Sequence, residues 1–222
     1  MKPMLVLRPE PGASATARRI ASLGGRAIVA PLFTVAPIVW TLPPPERFDA
    51  LMLTSANAVR EAGDGLAVYR ALPVYAVGAM TAAALRDADI EPARVGGGDA
   101  ADLLAAIEAD GYRSILHLTG EAYRAVVPET ATITHLPVYR ASAVQDLPET
   151  AIAAIGEGAV ALLHSPRAAR LFAGLVDPAG RAIAAISLAT AEAAGLGWRA
   201  VAIAAQPTDD ALLAAAARLC EG

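Results

Sequence analysis

Short apolar runs alternate with alanine-rich stretches of helical period from one end of the chain to the other. That alternation points to an α/β protein built on parallel sheets, whose buried strands read as continuous apolar runs. The runs predict strands at Met4–Arg8, Ala27–Ala30, Ala50–Thr54, Pro73–Val77, Ile115–Thr119, Ile133–Pro137, Ala159–His164, Ala182–Ser187 and Ala200–Ala204. The stretches between them predict helices at Ala13–Leu23, Ala56–Tyr69, Met80–Ala88, Ala100–Ala109, Ala168–Val176, Ala189–Gly195 and Asp209–Leu219. Local punctuation supports these limits. Gly24 and Gly111 fall where a left-handed C-terminal cap is wanted, and Asp99 and Thr208 sit as N-caps with acidic residues in the first turn behind them.

The order of elements also repeats, with an offset of about 109 residues. Phe48 to Arg60 aligns with Gly158 to Arg170, Ala76 to Ala82 with Ala185 to Ala191, Asp102 to Ala106 with Ala211 to Ala215, and Pro31-Leu32-Phe33 with Pro137-Val138-Tyr139. Two similar lobes are expected, each a small parallel sheet with helices on both faces. Such sheets bind ligands beyond the carboxyl ends of their strands, so the cleft between the lobes is the expected site.

Composition narrows the partners. Apolar types make up 55% of the 222 residues and charged types 18%, which supplies two modest cores and argues against disorder. A net charge of −4 argues against gripping nucleic acid through overall positive charge, so an anionic ligand has to be held by local groups. The single cysteine, Cys220, excludes an intramolecular disulfide and a cysteine-rich metal site. The apolar opening is interrupted at Arg8, too early for a signal peptide, and a cytoplasmic protein is expected. The uncharged stretch 27–45 carries Pro31, Pro37, Pro43, Pro44 and Pro45, so extended chain is expected there and no membrane span. No long exposed apolar stripe appears, and a monomer is expected.

Five turns share one reading, a strand followed by small or hydroxyl residues and then a helix: Thr54-Ser55-Ala56-Asn57, Val77-Gly78-Ala79-Met80-Thr81, Thr119-Gly120-Glu121, His164-Ser165-Pro166-Arg167 and Ser187-Leu188-Ala189-Thr190. Helix starts of this kind present backbone N–H groups and hydroxyls, which suit carboxylates or phosphates. Motifs for nucleotides and metals are absent, so no cofactor is indicated. Gly96-Gly97-Gly98 reads as a flexible lead into the Asp99 cap. His117 and His135 read as structural, whereas His164 stands at a strand end where the other lobe has Thr54.

Leu7-Arg8-Pro9-Glu10, Phe48-Asp49-Ala50, Leu53-Thr54-Ser55-Ala56-Asn57-Ala58-Val59, Val74-Tyr75-Ala76-Val77-Gly78 with Thr81-Ala82, Leu136-Pro137-Val138-Tyr139-Arg140 and Ser165-Pro166 form an ordered set. Together they resemble the uroporphyrinogen-III synthase family almost end to end. The resemblance implies a cofactor-free lyase that closes linear hydroxymethylbilane into uroporphyrinogen III with loss of water and inversion of ring D. It also implies that the chain crosses twice between lobes, placing 1–32 with 141–222 in one lobe and 33–140 in the other. Tyr139 matches the family's tyrosine and is expected to donate to the leaving hydroxyl. Arg8, Thr54, Ser55, Asn57, Gly78, Thr81, Gly120, Arg124, Ser165, Pro166, Arg167 and Thr190 are the expected substrate contacts. Two other readings stay open: a catalytically silent, two-lobed binder of a polycarboxylate or tetrapyrrole, and a different α/β enzyme acting on an anionic metabolite.

Overall fold

The computed structural model describes residues 2–220. In chain order the first elements are β1 (Met4–Val6), α1 (Gly12–Ser22), β2 (Ala27–Val29), β3 (Phe33–Pro37), β4 (Ala50–Leu53), α2 (Ala56–Glu61), β5 (Val74–Ala76), α3 (Ala79–Asp87), β6 (Arg94–Val95) and α4 (Ala100–Ala109). After them come β7 (Ser114–Gly120), β8 (Thr132–Ala143), α5 (Glu149–Gly156), β9 (Val160–Leu163), α6 (Pro166–Leu175), β10 (Ala182–Ala185), α7 (Leu188–Ala193), β11 (Ala200–Ile203) and α8 (Asp209–Cys220). The chain divides into two compact units, Met1–Thr34 with Ser142–Gly222, and Val35–Ala141.

The first unit is built on a sheet of order β11-β10-β9-β1-β2, parallel throughout. Side chains alternate across it as the pleat requires. Leu5, Leu7, Ala161, Leu163 and Ile183 join one core with Ala151 and Ala154 of α5, Ala168, Ala169 and Phe172 of α6, and Trp198. Met4, Val6, Val160, Leu162, Ala182 and Ala184 join the other, beneath Ile20 of α1 and Leu212, Leu213 and Ala216 of α8.

The second unit carries the order β3-β8-β7-β4-β5-β6. From β8 to β6 the strands are parallel. At β3 the Ile38 N–H donates to the Val138 carbonyl, and Val144 donates back to Leu32, so β3 and β8 run antiparallel. Leu51, Leu53, Leu116 and Leu118 face α2 and α3, while Ala50, Met52, Tyr75 and Ile115 face Leu103, Leu104 and Ile107 of α4. Each large side chain buried in this way stabilises its unit by about 1.5–3 kcal/mol. Both sheets therefore have helices on both faces, and both leave the carboxyl ends of their parallel strands at one edge.

Several elements depart from the pattern read in the sequence. The stretch Ala56–Tyr69 is not one helix: α2 ends at Glu61, and a 3-10 turn follows at Gly63–Tyr69. Gly63 takes φ +57, which breaks the right-handed run. Fully buried Tyr69 then donates to the Pro43 carbonyl and stacks on Trp40, anchoring the proline-rich segment. Strand β8 runs to Ala143, past Pro137, because the missing proline N–H falls beside the register shift at Thr119/Gly120. Helix α5 buries only Ala151 and Ala154, and so shows no stripe of large apolar residues. Thr119-Gly120-Glu121 leads to no helix. The Glu121 N–H donates to the Tyr139 carbonyl and its carboxylate takes a forked bond from Arg140, which keeps this turn against β8.

Gly24 and Gly111 adopt positive φ at their helix ends, and Asp99 caps α4 by accepting from Ala101 and Asp102. Asp99→Ala is expected to destabilise the Val35–Ala141 unit by about 1 kcal/mol, read as a lower urea midpoint. An unchanged midpoint would show that the cap does nothing for α4.

Candidate functional site

In the Val35–Ala141 unit, β4, β5 and β7 deliver Thr54, Ser55, Gly78 and Gly120 to one sheet edge. Ser55 has extended backbone and caps α2, its Oγ accepting from the Asn57 N–H at 3.1 Å. The Tyr139 hydroxyl donates to the same Oγ at 3.2 Å. With two bonds accepted, Ser55 keeps its own proton for a further partner. Tyr139 reaches this position because Gly120 faces it across the register shift. A Cβ on Gly120 would stand 2.7 Å from the tyrosine Cζ and 2.9 Å from its Oη.

Thr54 is bound from below. Its Oγ1 lies 2.9 Å from Nε2 of His117, whose Nδ1 lies 3.1 Å from Nδ1 of His135. His117 is almost fully buried on β7. Burial and the neighbouring His135 ring hold it neutral, with its pKa down to about 4, and burial also lowers His135. The Tyr123 ring stacks on His135 at 4.7 Å between centroids.

Other expected contacts in this unit are placed differently. The Asn57 Oδ1 accepts from Arg60. Gly78 has extended backbone and opens α3, and a Cβ there would meet Gly98 only at ordinary distance. Thr81 is almost wholly buried, with its N–H bonded to the Gly78 carbonyl. Arg124 is exposed and shares a groove with Gly98, Asp99, Ala100 and Ala101 at the start of α4.

In the other unit, the carboxyl ends of β1, β9 and β10 carry Arg8, His164-Ser165 and Ser187. Ser165 caps α6 by accepting from Ala168, and Pro166 stands at the first helical position, where a missing N–H costs nothing. The Arg167 guanidinium lies 4.4 Å over the Phe33 ring. Ser187 accepts from the Thr190 N–H and bonds its hydroxyl at 3.0 Å, and Thr190 is fully buried. The structure therefore brings Ser165 to the edge but turns Thr190 inward, toward the turn that it stabilises.

Asp209, in the first turn of α8, organises this edge. Its carboxylate accepts from Thr16, Arg19 and His164 Nε2, the last at 2.8 Å, and lies 3.5 Å from Arg8. Arg8 is thus engaged, and its guanidinium rests against Gly12, where any side chain would strike it. Burial on its own would raise the Asp209 carboxyl, but the bonds from His164, Thr16 and Arg19 bring it down to about 2. Sequence reasoning passed over both Asp209 and the His117–His135 pair. Only the strand register sets His117 opposite both Met52 and His135, and Asp209 resembles any acidic residue in a first turn.

Each unit is thus a doubly wound α/β layer whose strand ends offer hydroxyls and helix-start N–H groups. The chain belongs to the uroporphyrinogen-III synthase family: residues 14–214 match the family described as HEM4, uroporphyrinogen-III synthase HemD. Among solved structures, the uroporphyrinogen-III synthetase from Helicobacter pylori 26695 is 18% identical, with a TM-score of 0.68 over 99% of this chain and 100% of that one. A mutant uroporphyrinogen III synthase from the extremely thermophilic bacterium Thermus thermophilus is also 18% identical, with a TM-score of 0.55 over 99% of each chain. At that identity these likenesses concern the fold. No curated protein sequence matches the chain.

Two outcomes test the local geometry. Gly120→Ala is expected to cost about 1–3 kcal/mol through overpacking and to move Tyr139 off Ser55, which a urea melt and a crystal structure would show. Unfolding titrates Asp209 from about 2 toward its ordinary value, so its contribution is full above about pH 4 and is lost as pH falls toward 2. Asp209→Asn should therefore be less stable than the parent at pH 7 by roughly 2 kcal/mol, with the gap narrowing below pH 4. A pH-independent difference would remove the carboxylate from that account.

Proposed function

We propose that this protein is a uroporphyrinogen-III synthase, closing hydroxymethylbilane to uroporphyrinogen III with loss of water and inversion of ring D. Beside the family match, the observation that carries this reading is the Tyr139 hydroxyl seated over Gly120 and bonded to Ser55 at the carboxyl edge of a parallel sheet. When substrate binds, the Tyr139 O–H turns from Ser55 to donate to the hydroxyl on the ring A methylene as the C–O bond breaks, and Ser55 can then donate its own proton to the phenol oxygen. The oxygen departs as water. The cation left on the ring A methylene bonds the substituted carbon of ring D; the spiro intermediate opens as that carbon's bond to the ring C methylene breaks, and recloses as this methylene bonds the free α-carbon of ring D, whose lost proton balances the one that left with water. Oxidation state is conserved, so the reaction calls for no redox partner, and none is proposed.

The acetate and propionate arms are proposed to be held by the Thr54 and Ser55 hydroxyls, by the N–H groups of Gly78, Ser165 and Arg167, and by the side chains of Arg8, Arg124 and Arg167, while Asn57, Thr81, Pro166 and Thr190 shape the turns that present them. Gly120 acts by giving Tyr139 room. Selecting the ring D carbon is a matter of folding the substrate, so proximity supplies most of the catalysis.

Spontaneous closure gives the unrearranged type I isomer, so the isomer ratio reports what the protein contributes. Purified protein given fresh hydroxymethylbilane is expected to yield the type III isomer. Type I alone would falsify the synthase reading and favour a binding protein for a polycarboxylate. Tyr139→Phe is expected to lower turnover by roughly 10- to 1000-fold while product binding changes less, because the ring stays in place.

A further inference from the structure

The proposed function gives Thr54 a carboxylate to hold, but a hydroxyl can face that carboxylate with either its proton or its lone pairs. Which it presents is decided beneath it. Thr54 Oγ1 and His117 Nε2 are 2.9 Å apart, and the two Nδ1 atoms of His117 and His135 are 3.1 Å apart. Both imidazoles are held toward the neutral form, so only one proton lies between the two Nδ1 atoms. If His117 carries it, His117 Nε2 becomes an acceptor and takes the Thr54 proton, leaving lone pairs toward the ligand. If His135 carries it, His117 is protonated at Nε2 and donates to Thr54, whose own proton is then free to point outward.

We infer that His117 is a positioning residue for Thr54: with His135 fixing its tautomer, it donates to the Thr54 hydroxyl and turns that hydroxyl's proton toward a ligand carboxylate. The neighbouring residue would then have the same polarity. Ser55 Oγ accepts from the Asn57 N–H and from Tyr139, so its remaining proton also faces away from the protein's own bonds. Two successive hydroxyls then accept inward and donate outward, a neutral donor edge for an anion. The Tyr123 ring stacked on His135 and set edge-on to His117 holds the pair in place. The choice of this tautomer over the opposite one rests on the proposed function, since a carboxylate calls for a donor, whereas the chain of contacts from His135 through His117 to Thr54 does not.

The first test therefore needs no substrate. Long-range proton–nitrogen correlation spectra of the labelled free protein are expected to show His117 protonated at Nε2 and His135 at Nδ1. His117 protonated at Nδ1 overturns the inference, whatever the protein catalyses. The second test is kinetic. Thr54→Val and His117→Leu are each expected to raise KM for hydroxymethylbilane about 10- to 100-fold with little change in kcat, as for a lost hydrogen bond to a charged group. The double variant should be no worse than Thr54→Val alone, and His117→Gln, which keeps a side-chain N–H, should restore KM to within about threefold of the parent. Additive losses, or a Gln variant as impaired as the Leu variant, would mean that His117 serves only the packing of β7. A parent that makes no type III isomer would remove the synthase reading, and the spectra would still decide the proton arrangement.

Discussion

Where β7 and β8 shift register, Gly120 faces Tyr139 across the ladder, and the aromatic ring lies in the space that a Cβ would fill. That single clearance sets the carboxyl edge of the Val35–Ala141 sheet. It lets the tyrosine hydroxyl reach Ser55, and Ser55 in turn ties the edge to α2 through the Asn57 N–H. The bulge, the glycine and the aromatic ring form one device. Pro137 belongs to it as well, since a residue without an N–H is tolerated where the ladder is already interrupted.

The two units reach similar strand ends by different electrostatics. In the Val35–Ala141 unit the hydroxyls of Thr54 and Ser55 are neutral groups, and Thr54 rests on an imidazole that burial keeps uncharged. In the other, a carboxylate sits at the centre and gathers Thr16, Arg19 and His164 by hydrogen bonds, with Arg8 close by. Asp209 holds these side chains in fixed positions, so that under the proposed function Arg8 would meet an anion with less rotamer freedom left to lose. The carboxylate also discounts the positive charge that Arg8 and Arg19 bring. This edge is ordered more than it is cationic.

Much of the fold was legible in the chain. The continuous apolar runs marked parallel strands buried on both faces, and the glycine and aspartate caps fell at the helix ends that they punctuate. What escaped had physical reasons. Helix α5 buries alanines only, so no periodic stripe announced it, and Gly63 turned a long helical pattern into a helix followed by a 3-10 turn. Hydroxyl residues at strand ends were legible as a class, but sequence does not say which way each faces. Ser55 and Ser165 lie half-buried at their edges, whereas Thr81 and Thr190 turn into the protein. His117 and His135 looked structural because their meaning depends on register, and register is a property of paired strands.

A chain with a net charge of −4 does not draw a polyanion in through its overall charge. Neutral donors avoid that difficulty. A hydroxyl or a helix-start N–H needs no counter-ion in the free protein, has a smaller desolvation cost than a cation when covered, and holds a carboxylate in a defined direction. Direction matters most in a reaction whose outcome turns on which carbon of one ring is attacked. If the proposed function holds, donors fixed by capped helices, a glycine-cleared tyrosine and the inferred histidine would supply more than charge alone, because charge attracts a flexible substrate without choosing its fold.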